Sequence, residues 1–175
     1  KREIYERLGI AFRILHNHDK SIYALGASGP TTLHISFLCG ARFADGSTWR
    51  LTAVLKGIIM PDGSRRSLPP VKRYAYPKLT EKDKKKILEV WGDELNPFKD
   101  ITIEEFLETA SKNNKYGFRF RALWNAFMLK HIEKIANEFQ GDSISYFRYL
   151  SRIWPKHKLK LAKIALEAVG REAYV

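Results

Sequence analysis

The chain holds a single cysteine, Cys39, among 175 residues. No disulfide can form within it, and no cysteine-rich zinc site can be assembled. Cys39 lies in the apolar run LHISFLCGA, which marks a buried structural thiol. A lone reduced cysteine fits the cytoplasm. No apolar run approaches the roughly 20 residues that a membrane helix needs, and no signal peptide is visible. Walker-type phosphate loops and Gly-x-Ser-x-Gly elbows are also missing. The histidines His16, His18, His34, His131 and His157 have no carboxylate or cysteine cluster at ligand spacing. Neither a metal nor a cofactor is therefore expected.

Acid is scarce relative to base. Lysine and arginine number 31 against 19 aspartates and glutamates, a formal net charge of +12. That balance favours a polyanionic partner, most simply a nucleic acid. The bland alternative is a basic surface that only keeps the protein in solution. With 45% hydrophobic residues, the chain is ordinary for a globular protein and long enough to bury a core.

Hydrophobic spacing gives the element order. Ile4, Leu8, Ala11, Phe12 and Leu15 form a helical stripe that needs a partner surface. A start inside such a helix suggests a piece of a longer protein, with the remainder on its N-terminal side. Residues 21–27 read as a short buried strand entering a Gly-rich turn. Gly29-Pro30 opens a helix over about 31–39, with the proline in its first turn. A second strand spans 41–44, and a further helix 47–55. Alternation of this kind implies parallel strands with helical crossovers.

The next segment changes character. Pro61-Asp62-Gly63 sits between two short runs and signals a hairpin. Thr80 with Asp83, and Thr102 with Glu105, have capping-box spacing. Ile87, Leu88 and Trp91 would give the first capped helix its apolar side. Phe120, Trp124, Met128, Ile132, Ile135 and Phe139 mark a long helix over 117–139 as core. Shorter helices follow over 143–153 and 156–169, broken at Trp154-Pro155.

Two features carry chemistry. On the last helix Lys156, Lys160 and Lys163 share one face, opposite Leu159, Ala162, Leu166 and Val169. Arg148 and Arg152 lie four apart on the helix before it. Such helices bury one side and offer cations to phosphate oxygens, or simply carry a solvated lysine face. Lys82 to Lys86 allow the same two readings. The second feature is FADGSTWRLTA, residues 43–53. Two parallel neighbouring strands would bring ALGASGP and Ala44-Asp45-Gly46-Ser47 to one rim. Asp45 there could be a covalent nucleophile at a sugar carbon. It could equally cap the next helix or make an Asx turn.

The stretch SIYALGASGPTTLHISFLCGARFADGSTWRLTA resembles the last two strand–helix units of the tRNA-guanine transglycosylases. It is closer to the archaeal-type branch and its DNA-modifying relatives than to the bacterial queuine enzymes. The family pattern is a Leu/Met-Gly-x-Gly-x-Pro-like loop, an apolar helix, then Gly-x-x-x-Phe-Asp-Ser. Here these read Leu25-Gly26-Ala27-Ser28-Gly29-Pro30 and Gly40-Ala41-Arg42-Phe43-Ala44-Asp45-Gly46-Ser47. The likeness covers about residues 20–68, and resumes at Arg121-Ala122-Leu123-Trp124-Asn125, where the family has its last barrel helix.

The resemblance implies an α/β fold: the C-terminal part of a (β/α)8 TIM barrel with a β-hairpin and basic helical insertion, then a mainly α C-terminal region. Residues 1–56 would hold the last strand–helix units, 57–116 the hairpin and insertion, and 117–175 the last barrel helix and basic helices. It implies exchange of guanine for a 7-deazaguanine base in nucleic acid. Asp45 would attack C1′ and hold the sugar covalently, while Leu25 and Gly26 pack against the base. The general acid/base, a second aspartate, would belong to an earlier strand. The family's zinc site of three cysteines and one histidine has no counterpart, since Lys72 to Pro77 lack cysteine and Trp124 stands at the histidine position. That departure, with the basic helices, favours DNA over tRNA. The reading from another class is a non-catalytic basic module that binds nucleic acid through Arg148, Arg152, Lys156, Lys160 and Lys163.

Overall fold

A computed structural model describes residues 2–18, 21–26, 29–70 and 75–170. The fold is mixed α/β, with 61% of the described residues helical and two small sheets. The elements run α1 (Arg2–His16), β1 (Ile22–Ala24), α2 (Pro30–Leu38), β2 (Ala41–Ala44), α3 (Thr48–Val54), β3 (Gly57–Ile59) and β4 (Arg65–Ser67). The helices α4 (Glu81–Glu89), α5 (Ile103–Ser111), α6 (Lys115–Glu138), α7 (Ser143–Ile153) and α8 (Lys156–Val169) follow. The chain divides into two compact units, one of residues 1–46 and 133–175, the other of residues 47–132. The expected features on Ala27, Ser28, Lys72, Arg73 and Tyr74 lie outside the described residues.

In the first unit β1 and β2 pair in parallel, joined by α2. Ile22 faces Ala41, Tyr23 faces Phe43 and Ala24 faces Ala44, with an irregularity after Ile22. β1 is shorter than the sequence pattern predicts. Gly26 turns the backbone left-handed at φ 71°, which ends the strand. α2 is apolar on nearly every side, and Leu33, Ile35, Phe37 and Leu38 are all buried. His34 is buried too, its Nδ1 2.7 Å from the Tyr146 hydroxyl. Burial pushes the Tyr146 phenol well above its ordinary pKa.

α1 packs on α8, and it corrects the stripe predicted from sequence. Phe12 is buried, but Ile4 is 62% and Leu15 44% exposed. The buried face is centred on Gly9 and Phe12 instead. A Cβ at Gly9 would lie 2.4 Å from the Ala165 carbonyl oxygen and 2.6 Å from the Ala168 Cβ. The missing side chain lets the two helices approach there, which rotates the contact away from Ile4 and Leu15.

In the second unit β3 and β4 form the antiparallel hairpin, with Ile58, Ile59 and Met60 fully buried. Leu68, Ile87, Phe98, Ile103, Phe106, Trp124, Phe127 and Met128 complete one core with them. Both expected capping boxes form. Thr80 accepts from the Asp83 N–H and Thr102 from the Glu105 N–H, while each carboxylate accepts in return. Leu88, expected on the apolar side of α4, is 53% exposed, because Asp83 and Ile87 hold the buried face.

α6 ties this hairpin down through three polar side chains. The Trp124 indole N–H donates to the Ile59 carbonyl at 2.8 Å. Asn125 accepts from the Ile59 N–H at 2.7 Å and donates to the carbonyls of Trp49 and Gly57. Arg121 donates to the carbonyls of Ala53, Ala110 and Lys112. Burial pushes the Arg121 pKa down, and the carbonyl oxygens supply the partners that buried polar groups require.

Two carboxylates add to the tie. Arg66 on β4 pairs with Asp83 at 2.8 Å, and Lys86 on α4 pairs with Asp62 in the hairpin turn. Burial pushes the Asp83 carboxyl up, but the hydrogen bonds from Arg66 and Thr80 outweigh it and hold the pKa below its usual value. Asp62 behaves alike, with burial outweighed by Lys86 and Ser64.

Candidate functional site

Because β1 and β2 are parallel and adjacent, their carboxyl ends share one rim. Asp45 follows β2 there. Its N–H donates to the Ala24 carbonyl at 3.3 Å, which extends the pairing by one residue. Its Oδ1 accepts from the Gly26 N–H at 2.7 Å. The left-handed Gly26 lies in the turn that follows β1, so the turn and the carboxylate are set against each other. A Cβ on Gly26 would meet nothing within 4 Å, so the backbone angle, not space, favours glycine.

Asp45 does not cap α3. The N-cap is Ser47, whose hydroxyl makes no capping bond either. The carboxylate reaches across to the neighbouring strand end rather than forward along its own chain. Asp45 and Leu25 are both exposed.

Tyr23 and Phe43 are paired across the two strands. The Tyr23 and Phe43 rings stack at 6.3 Å between centroids, and both are about half exposed. The Arg42 guanidinium lies 5.7 Å from the centre of the Phe43 ring. Sequence spacing alone did not single out Tyr23 and Phe43. Their aromatic character at paired positions of two short strands was the available signal.

The cationic residues lie on other elements of the same unit. Arg148 and Arg152 are exposed on α7, and Lys156, Lys160 and Lys163 are exposed on α8. Ala162, Ala165, Leu166 and Val169 bury the other side of α8. From 143 to 166 the chain has six lysines and arginines and no aspartate or glutamate. The α4 lysines are different. Lys84 pairs with Glu81 and Lys86 with Asp62, while Lys82 and Lys85 are exposed.

At the amino ends of the strands a concavity is lined by His16, His18, Ser21, Ile22, Gly40, Arg42 and Gln140. His16 Nε2 lies 2.8 Å from the Cys39 carbonyl, at the C-terminal end of α2. Among the described residues no group of three or more histidine, cysteine, aspartate or glutamate side chains could hold a metal ion. No described helix is long and apolar enough to cross a membrane.

No family model, no curated protein and no solved structure matches the chain.

Proposed function

We propose that the chain carries the nucleophile of a guanine transglycosylase that exchanges guanine for a 7-deazaguanine base in nucleic acid, with DNA favoured over tRNA. The observation that carries the reading is the Asp45 carboxylate, exposed at the carboxyl end of a parallel strand and held by the Gly26 N–H. Functional groups of strand–helix barrels sit at that end of the strands.

In this reading β1 and β2 are two strands of a (β/α)8 barrel. Parallel sheets are covered on both faces, and here one face carries half-exposed Tyr23 and Phe43. Further strands would cover it. Asp45 attacks C1′ of the target nucleotide, and the C1′–N9 bond breaks with its electron pair leaving on guanine. A general acid on another strand protonates the departing base. The incoming 7-deazaguanine, deprotonated at N9 by the same group, then displaces the carboxylate from C1′. Leu25 packs against the base, and Arg148, Arg152, Lys156, Lys160 and Lys163 hold phosphate oxygens.

The test is Asp45→Asn in the full-length protein. Exchange of labelled guanine into DNA and tRNA should fall by at least ~1,000-fold, and no covalent adduct should be trapped. Undiminished exchange would remove the reading. The acid-free run of residues 143–166 also favours a second reading, a basic module without catalysis. That reading predicts salt-sensitive binding lost on changing Lys156, Lys160 and Lys163 to glutamate, with no exchange by the wild-type protein.

A further inference from the structure

The resemblance assigns Gly26 to the base pocket, but its N–H is already committed to Asp45. We infer that Gly26 is a positioning residue for the Asp45 carboxylate, and that Oδ2 is the oxygen that attacks. This rests on the transglycosylase reading and assigns its site atom by atom.

Three observations support it. The Gly26 N–H donates to Oδ1 at 2.7 Å, a charge-assisted bond that fixes one carboxylate oxygen. The donor is aimed by a left-handed backbone, φ 71°, in a turn that directly follows β1. The acceptor is fixed from its own side, because the Asp45 N–H bonds the Ala24 carbonyl and so ties the backbone beneath the side chain to the end of β1. A carboxylate with one oxygen so bound presents the other as the free lone-pair donor. The attack forms a C1′–Oδ2 bond as the C1′–N9 bond breaks. The negative charge that leaves Asp45 appears on guanine, which takes its proton from the general acid of the reading above. Holding the carboxylate near its attack geometry is where such a bond contributes to rate.

The two roles for Gly26 predict different kinetics. A residue that packs against the base acts on KM for the base. A residue that aims the nucleophile acts on the formation of the covalent intermediate. The experiment replaces Gly26 in the full-length protein with glycolic acid, which turns its amide into an ester and deletes the N–H alone. Gly26→Ala, which keeps the N–H, is the companion. The ester should slow single-turnover adduct formation about 10- to 100-fold, with KM for the 7-deazaguanine base changed less than about 3-fold. Gly26→Ala strains the left-handed φ of 71° that aims the N–H, so it should also slow adduct formation, with KM for the base changed less than about 3-fold.

An ester variant that forms adduct at the wild-type rate overturns the inference, whatever its thermal stability. A Gly26→Ala variant whose main defect is a raised KM for the base overturns it in favour of base packing. Asp45→Asn run alongside separates the two levels. If that variant still forms adduct, the transglycosylase reading fails. If it forms none while the ester variant is unimpaired, only the role of Gly26 fails.

Discussion

The hairpin β3–β4 of the second unit and the parallel pair β1–β2 of the first meet the same requirement differently. Both are two short strands, too few for independent stability. The hairpin is closed by its own unit: every residue of β3 is buried, and Trp124, Asn125 and Arg121 take up backbone groups around it. The parallel pair is covered on one side by buried Ile22 and Ala41, and shows Tyr23 and Phe43 on the other. The closed sheet is a structural joint. The open one ends in a left-handed turn and an exposed carboxylate.

The largest effect that sharpens this contrast is expected at Asn125. Replacing it with leucine keeps the branched shape but leaves the Ile59 N–H and the Gly57 and Trp49 carbonyls without their partner. Loss of about 3 kcal/mol or more is expected in urea unfolding. A loss under about 1 kcal/mol would mean that water replaces the joint.

Acid should act next, and mainly on the second unit. Asp83 and Asp62 have folded pKa values held below the unfolded value of about 3.9. The unfolded state therefore binds protons first as pH falls. Their contribution is fully present above pH ~4 and is lost as pH drops through the folded values. In the first unit Asp142 is also lowered, by its bonds to Ser145, but it is exposed and its effect is screened by solvent. Amide exchange between pH 5 and pH 2.5 should open β3–β4 and α4 before α1 and α8. The reverse order would contradict the assignment of the buried pairs.

The smallest effect is expected on the open face. Tyr23→Ser with Phe43→Ser should change the stability of the 175-residue chain by less than about 0.5 kcal/mol, as surface changes do. In the full-length protein the same pair should cost about 2–4 kcal/mol, because the barrel reading covers that face. Equal small effects in both would argue against further strands on β1–β2.

Much of this was legible in local chemistry. The two capping boxes, the Pro61-Asp62-Gly63 turn and the break at Trp154-Pro155 each depend on a few adjacent residues, and all formed at the expected places. Sequence periodicity could not reveal how closely α1 and α8 approach at Gly9, so the buried face of α1 was misplaced. The site divides in the same way. Asp45 at a strand end followed from spacing, whereas its partner, a backbone N–H nineteen residues earlier, carries no side-chain signature. Periodicity marked Trp124 as core, but Arg121 and Asn125 stood out only as a resemblance, since the partners of all three are carbonyls and amides that every residue has.

The central claim is that Asp45 forms a bond to the target sugar. The most direct test is to incubate the full-length protein with a guanine-containing oligonucleotide, quench in acid, digest, and map the modified peptide by mass spectrometry. The account predicts a nucleic-acid adduct on the carboxylate of the peptide containing FADGSTWR, discharged by added 7-deazaguanine base. An adduct on any other residue, or exchange that proceeds with Asp45 unmodified at every time point, would contradict it.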